Sequence, residues 1–228
     1  MFIGHFALGL AAKRAAPQTS LATLFLAPTL ADLLWPLFLL LGWEQARVVP
    51  NANPFLVLWL DNYPLSHSLL MLVVWGTLIA LLYRRRRTAT PVAALTIGVL
   101  VLSHWVLDVI THRPDMPWYP GSPEVGLGLW RSVSGTLVVE GALFAVGTAM
   151  YTWSTRPRDR IGRYGFWVLV AVLLGSYVGS LFAPPPPSVR ALAVGGLVFG
   201  GLFVLFAGWV DRHRHAAVAP LPPDAQPT

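Results

Sequence analysis

The residues best suited to chemistry lie in residues 103–119, SHWVLDVITHRPDMPWY, at the end of a long apolar run. Within this stretch, His104, Asp108 and His112 follow one another at intervals of four residues. At about 3.6 residues per turn, this spacing puts the three side chains on one face of a helix. Titratable groups inside a membrane-length apolar run are costly, so they indicate a functional site.

The composition identifies the class of protein that must position these groups. Of the 228 residues, 55% are hydrophobic and 11% are charged, and the mean hydropathy is +0.61. These values are typical of an integral membrane protein. The net charge of +6 comes from Arg clusters between apolar runs, which is typical of topology signals and argues against nucleic-acid binding. Because the chain has no cysteine, a metal site would need His and carboxylate ligands.

Apolar runs of about 20 residues predict an all-α fold, a polytopic membrane helical bundle with about six transmembrane helices and a short N-terminal helix. The predicted spans cover residues 20–41, 64–83, 91–111, 132–153, 164–183 and 190–210, and the short helix covers residues 2–16. Residues 42–63 are predicted to form a loop with a short interfacial segment at PFLVLWL. We expect residues 1–120 to carry the site, 121–215 to form a three-helix half, and 216–228 to be a disordered tail.

The basic residues predict the orientation of this bundle. Most of the 16 Lys and Arg residues fall on one side of the predicted spans: Lys13, Arg14, Arg84, Arg85, Arg86, Arg87, Arg156, Arg158, Arg160, Arg163, Arg212 and Arg214. The positive-inside rule assigns that side to the cytoplasm, so both ends of the six-span core are predicted to be cytoplasmic.

Five polar residues on separate predicted segments are expected to meet in the outer half of the membrane: His5, Asp32, His67, His104 and Asp108. At about 1.5 Å per residue, Asp32 and His104 lie roughly 18 and 20 Å above the cytoplasmic starts of their spans. His5 would lie roughly 13 Å up if the short first helix inserts from the same side. Mixed imidazole and carboxylate ligands suit zinc, and also manganese or iron. Such a site would polarise a substrate oxygen or lower the pKa of bound water to about 7.

Some of these residues also have a structural interpretation. His5 or His67 alone could be an interfacial polar residue, and His104 with Asp108 could be a structural hydrogen-bonded pair. His112 and Asp115 could be solvated loop residues at the membrane edge. Arg113, directly after His112, and Asp115, two residues farther on, complete the hypothesis, with Asp115 as a general base and Arg113 as an anion contact. Glu140 is predicted to face the bundle interior and receives no role.

Four short motifs carry a resemblance to a known family: GHFALG at residues 4–9, ADLLWP at 31–36, LSHSLL at 65–70 and LSHWVLDVITHRPDMPW at 102–118. In this order they resemble the polar motifs of the YdjM-like group of bacterial inner-membrane proteins, described as membrane-bound, metal-dependent hydrolases. The resemblance covers residues 1–120. It implies a location in the bacterial inner membrane, and it marks as metal-site residues His5, Asp32, His67, His104 and Asp108.

Two of these motifs depart from the pattern of that group. The PDxD-type motif has Leu34 in place of its second Asp, and the HRxxTHS motif has Asn62 and Tyr63 in place of its first His and its Arg. The departures imply fewer ligands than in other members, which leaves both a single metal ion and a loss of catalysis open.

The sequence supports three hypotheses about function. The first is a metal-dependent hydrolase that acts on an ester or phosphoester of a lipid or other amphiphile, with its site open toward the periplasm. The second is a transporter or a proton or cation relay, although continuous spans without paired broken helices argue against it. The third is a non-catalytic membrane scaffold. The expected partners are the lipid bilayer and an amphiphilic substrate, and the oligomeric state is left open.

Overall fold

The computed structural model describes residues 1–217, which form a bundle of helices with three small two-stranded sheets. The helices are α1 (Ile3–Ala11), α2 (Leu21–Leu26), α3 (Leu30–Leu40), α4 (Pro64–His67), α5 (Leu69–Arg84), α6 (Pro91–Thr111), α7 (Val133–Ser154), α8 (Phe166–Ser180) and α9 (Val189–Arg212). The strands are β1 (Gln45–Val48), β2 (Leu58–Asn62), β3 (Met116–Pro117), β4 (Glu124–Val125), β5 (Thr155–Pro157) and β6 (Arg214–Ala216). Each pair β1–β2, β3–β4 and β5–β6 is antiparallel.

The predicted membrane class and helical fold are confirmed, although not the number of spans. Within residues 1–217, four helices are long and apolar enough to cross a membrane: Pro91–Thr111, Val133–Ser154, Ile161–Ser180 and Val189–Arg212. The third of these begins with a π-helical turn, Ile161–Gly165, that continues directly into α8. These helices match the last four predicted spans to within a few residues.

The first two predicted spans are interrupted. Residues 20–41 form α2 and α3, which are separated at residues 27–29. Pro28 lies in this break, and its ring and missing N–H disfavour a continuous helix. Residues 64–83 form the short α4 and then α5, and Ser68 between them has an extended backbone. The expectation of two continuous spans is therefore wrong, and both interruptions lie next to predicted site residues.

The predicted loop at residues 42–63 contains a β-hairpin, so the all-α prediction was incomplete. β1 pairs with β2 in a register that places Arg47 opposite Trp59. Arg47 Nε and Nη2 donate to the two Asp61 carboxylate oxygens at 2.8 and 2.7 Å. This bidentate ion pair joins the two strands. The strands are only four and five residues long, so the alternation of polar and apolar residues in them was a weak signal of a hairpin.

The last described residues are also more ordered than predicted. Strand β6 pairs with β5, and Ala217 N donates to Ser154 O at 2.8 Å. Ala216, the first residue of the predicted tail, therefore belongs to a sheet. Residues 218–228, the rest of that predicted tail, lie outside the described residues.

Serine and threonine residues define where the main helices begin. At each of five helix starts, a hydroxyl oxygen accepts the backbone N–H three residues farther on: Ser20, Ser68, Thr90, Ser132 and Ser188. Such caps satisfy donors that have no partner within the helix, and each is worth about 1 kcal/mol. Local sequence thus fixes the start of α2, α5, α6, α7 and α9.

The short helix α1 lies in the core of the bundle. Its residues Ile3 and Phe6 are buried, and it packs mainly along α7. A Cβ atom at Gly147 of α7 would collide with the Ala7 carbonyl oxygen, and one at Gly9 would collide with the Leu24 carbonyl oxygen. The two glycines therefore allow the close backbone approach that brings His5 to the centre of the bundle.

We expect Gly147→Ala to lower the free energy of unfolding by about 1–3 kcal/mol, because the added methyl group must displace α1. The matched control is Gly141→Ala on the same helix, where no atom of residues 1–217 lies close to the added Cβ. That control is expected to be neutral, or stabilising by up to about 1 kcal/mol. Denaturant titration in detergent measures both variants. Equal stability of the two proteins would contradict the proposed close contact.

Candidate metal centre

Helix α6 supplies two of the five predicted residues, His104 and Asp108, and His112 lies just past its end. His104 Nε2 lies 3.0 Å from Asp108 Oδ2, and His112 Nε2 lies 3.6 Å from the same oxygen. All three residues are buried. The spacing of four residues thus turns both imidazoles toward one carboxylate, as the sequence predicts.

Helix α1 brings His5 to the other oxygen of this carboxylate. His5 Nε2 lies 3.1 Å from Asp108 Oδ1, and the His5 ring stacks on the His104 ring with centroids 4.0 Å apart. The amino group of Met1 also donates to Asp108 Oδ1 and lies 3.2 Å from His5 Nε2. The Asp108 carboxylate is therefore surrounded by nitrogen atoms on both sides.

The interrupted spans supply the last two predicted residues, Asp32 from α3 and His67 from α4. Asp32 Oδ1 lies 3.9 Å from His67 Nε2 and 4.0 Å from His104 Nε2. The other Asp32 oxygen lies 4.0 Å from His5 Nε2. The structure thus brings all five predicted residues together from four helices.

These residues form two overlapping groups that could hold a metal ion, namely His5, His104 and Asp108, and Asp32, His67 and His104. Within each group, one potential ligand atom from each residue lies within 4.8 Å of the others. His104 belongs to both groups. Its Nε2 atom is buried and lies 3.0 Å from Asp108 Oδ2, but among the described residues it forms no hydrogen bond of acceptable geometry. An unpartnered ring nitrogen facing two carboxylates fits a cation site, because buried polar atoms otherwise find partners.

Hydrogen bonds behind the rings determine which nitrogen atoms face the centre. His104 Nδ1 lies 2.8 Å from the Pro28 carbonyl oxygen, which can only accept. His112 Nδ1 likewise lies 3.0 Å from Asp115 Oδ1. Each Nδ1 must therefore carry the proton in the neutral ring, which leaves an Nε2 lone pair directed at the cluster. The break at Pro28 thus provides the acceptor that orients His104.

His67 is oriented through a hydroxyl group that the sequence analysis did not single out. Ser66 Oγ donates to Glu44 Oε2 at 2.7 Å and lies 2.6 Å from His67 Nδ1. Because the one hydroxyl hydrogen is used by Glu44, Ser66 accepts from His67 Nδ1–H. This relay leaves the Nε2 lone pair of His67 free for the cluster. Glu44 lies in a loop far from the motif in sequence, and no spacing indicates its role.

Glu140 on α7 is the second residue whose role the sequence analysis missed. Its Oε2 accepts from the backbone N–H groups of Phe2 and Gly4 at 2.8 and 3.2 Å. No side chain caps α1 from within its own segment, so this carboxylate serves the free N–H groups of its first turn. Glu140 is fully buried and holds the helix end that carries His5. Its position within an apolar span was the only signal in the sequence.

The two residues predicted for catalysis lie behind His112. Asp115 Oδ1 accepts from Tyr63 Oη at 3.1 Å as well as from His112, and Oδ2 accepts from Arg113 Nε at 2.9 Å. The Arg113 guanidinium lies 3.8 Å from the centre of the Trp59 ring. Asp115 thus reaches the cluster through His112, and the β-hairpin positions Arg113.

Removing the Ser66 hydroxyl by Ser66→Ala is expected to weaken divalent-metal affinity by about 10–100-fold, because His67 loses the group that fixes its ring. Glu44→Gln should act in the same direction through Ser66. The measurement is competition with a fluorescent chelator, using purified protein in detergent. Ser103→Ala is the control, since within the described residues its hydroxyl bonds only to the Leu100 carbonyl of its own helix. Equal affinities for Ser66→Ala and the control would rule out the relay.

Comparison with known proteins gives one match. The model of a family described as YdjM inner membrane protein matches residues 1–185, which include every residue of the centre described above. The match extends beyond the 120 residues over which the sequence motifs carried the resemblance. No curated protein and no solved structure matches the chain.

Proposed function

Because the chain belongs to the YdjM inner membrane protein family, we propose that it is a metal-dependent hydrolase of the bacterial inner membrane. The proposed substrate is an ester or phosphoester of a lipid or other amphiphile. The observation that carries this proposal is the convergence of three imidazoles and two carboxylates in an apolar bundle. Such a cluster is costly to bury for packing alone.

The donor set supports a divalent cation of intermediate hardness. Nitrogen and carboxylate oxygen donors suit zinc first, and also manganese or iron. The ligands would be His5, Asp32, His67, His104 and Asp108. A bound ion would supply Lewis acidity that polarises a carbonyl or phosphoryl oxygen. The unpartnered Nε2 of His104 and the fixed Nδ1 atoms of His67 and His104 support this assignment.

The proposed general base is the Asp115–His112 pair, in which His112 accepts the proton and Asp115 holds its ring in place. Asp115 holds the Nδ1 proton of His112, so His112 Nε2 can accept a proton from an attacking water molecule. Arg113 is the proposed anion contact, because its guanidinium is fixed by Asp115 and Trp59 beside this pair. The pair would thus remove the proton while Arg113 attracts an anionic head group.

Exposure supports an amphiphilic substrate that approaches along Asp32. The Asp32 side chain is 45% exposed, whereas the side chains of the other four proposed ligands are at most 5% exposed. A substrate would therefore meet Asp32 before it meets the imidazoles. Leu37 and Leu40 on the same helix are exposed as well, which suits a substrate with an apolar part.

Six membrane crossings form part of the proposal. In it, α2 with α3 and α4 with α5 each complete one crossing, and the basic side faces the cytoplasm. Contacts between the basic ends support this arrangement, because Lys13 Nζ pairs with Asp211 Oδ2 at 2.7 Å and Thr19 Oγ1 lies 2.9 Å from Tyr83 Oη. The first helix, α5 and α9 therefore share one end of the bundle. The centre would lie nearer the periplasmic end.

One observation favours the alternative of a transporter or cation relay. The break between α2 and α3 lies beside the polar cluster, and transporters form ion sites at interrupted helices. The argument from continuous spans against this alternative therefore no longer holds. Ion flux into proteoliposomes that does not require a bound metal would favour the relay over the hydrolase.

The metal content of the purified protein tests the centre directly. Elemental mass spectrometry is expected to find near-stoichiometric zinc, manganese or iron in the wild type and none in His104→Ala with Asp108→Ala. The matched control is Asp159→Ala with His213→Ala, which removes a His–Asp pair 2.6 Å apart outside the cluster. The control should retain the metal. Folded wild-type protein that binds no metal would refute the hydrolase proposal.

Turnover by metal-loaded protein tests the proposed base. Asp115→Asn is expected to lower the hydrolysis of phospholipid esters or phosphoesters in mixed micelles by about a hundredfold or more, since His112 loses its orienting carboxylate. Its metal content should not change. Asp159→Asn, which weakens the pair with His213 outside the cluster, is the control and should keep full activity. Absence of turnover by the wild type across these substrates would count against the hydrolase.

A further inference from the structure

A second polar site lies at the basic end of the bundle, where α7 ends and α8 begins. An open cavity of about 460 Å³ is lined by Pro157, Arg158, Asp159, Arg160, Arg163 and Tyr164. Glu140, at the level of the metal centre, precedes Thr155 at the start of β5 by 15 residues, nearly all within α7. At about 1.5 Å per residue, the cavity is therefore roughly 20 Å from the centre.

The backbone around this cavity is fixed by contacts that a simple surface loop would not need. Arg214 Nη1 donates to the Gly162 carbonyl oxygen at 2.6 Å, and Nε donates to Thr155 Oγ1 at 3.0 Å. A Cβ atom at Gly162 would collide with the His213 carbonyl oxygen. The pairing of β5 with β6 adds a sheet to this frame. These contacts hold the backbone around the cavity in place. The Arg214 guanidinium is engaged in them and does not line the cavity.

Three guanidinium groups around the cavity lack an acidic partner in the described part of the chain. Arg158, Arg160 and Arg163 are exposed, and within residues 1–217 none of their side chains forms an ion pair or hydrogen bond. The acidic residue of the lining, Asp159, is already engaged by the Gly162 N–H at 2.8 Å and by His213 Nδ1 at 2.6 Å. These contacts, the Gly162 N–H first, hold the pKa of Asp159 below its usual value.

The backbone N–H groups at the start of the π-helical turn Ile161–Gly165 do not attract an anion. Asp159 caps this turn by accepting from Gly162 N, and Asp159 O accepts from Arg163 N. An anion in the cavity would therefore meet guanidinium groups rather than free backbone N–H groups. The planar donors of arginine match the oxygen atoms of a phosphate in bidentate pairs.

The level of the cavity in the membrane indicates where its ligand comes from. Tyr164, Trp167 and Trp153 around this end of the bundle are 61%, 55% and 68% exposed. Exposed aromatic residues of this kind are enriched at the level of the lipid head groups. The three arginines therefore lie where a phosphate group of the bilayer would be found.

We propose that this cavity is a phosphate-binding site in which Arg158, Arg160 and Arg163 hold one phosphate group. The same chemistry is presented by the head group of an anionic phospholipid and by free phosphate, and its position at the interface favours the head group. This proposal does not depend on the hydrolase proposal, because it uses no residue of the metal centre.

The test compares two triple variants of the full-length protein in detergent. One carries Arg158→Gln, Arg160→Gln and Arg163→Gln, and the matched control carries Arg85→Gln, Arg86→Gln and Arg87→Gln. Both remove three positive charges from the same end of the bundle, but only the first empties the cavity of guanidinium groups. Native mass spectrometry counts bound phosphatidylglycerol during a titration. The cavity variant is expected to bind it at least about tenfold more weakly than the control, because three charge-assisted pairs are lost.

The outcomes separate the possible sources of the phosphate. Displacement of phosphatidylglycerol from the wild type by millimolar inorganic phosphate would support a site that also takes free phosphate. Failure of phosphate to displace it would support recognition of the lipid head group. Equal weakening in the two triple variants, or none in the cavity variant, would overturn the proposal, since only total charge would then matter. If the triple variant does not fold, the three single Arg→Gln variants replace it, each with an expected loss of about threefold.

Discussion

The structure depends on the burial of one carboxylate, that of Asp108. A buried charge costs several kcal/mol unless neighbouring groups compensate for it. The Met1 amino group donates to Asp108 Oδ1, and the imidazoles of His5, His104 and His112 place further nitrogen atoms around the carboxylate. Met1 and His5 belong to the N-terminal segment, so this segment must reach the centre of the bundle. The insertion of α1, which is too short to span a membrane, is explained by this requirement.

The interruptions of the helices help to orient the histidines of the same centre. The carbonyl group that orients His104 belongs to Pro28 in the break between α2 and α3. The extended backbone at Ser68 ends α4 directly after His67, while Ser66 and Glu44 orient the ring of that histidine. In a continuous helix, backbone carbonyl groups such as that of Pro28 would accept hydrogen bonds within the helix. The interruptions leave such groups available to orient the imidazoles. The interruptions are therefore part of the centre.

Much of this arrangement can be predicted from sequence, and its limits have physical causes. The helices α6 to α9 were predictable because long apolar runs and local caps define them, and a spacing of four residues placed His104 and Asp108 together. The break at Pro28 was missed because the surrounding run remained apolar. The hairpin of β1 and β2 was missed because strand pairing depends on partners such as Arg47 and Asp61, distant in sequence. Glu44 and Glu140 act through contacts that no local pattern encodes.

The contact between Glu140 and α1 has a consequence for how the protein is made. Phe2 and the carboxylate that accepts its N–H are 138 residues apart. During synthesis, the first helix emerges long before α7 exists, so it lacks both its cap and the surface against which it packs. Helix α1 can therefore take its final position only after α7 has joined the bundle. Long-range contacts of this kind are slow to form. Docking of α1 would therefore be a late step in the assembly of the bundle.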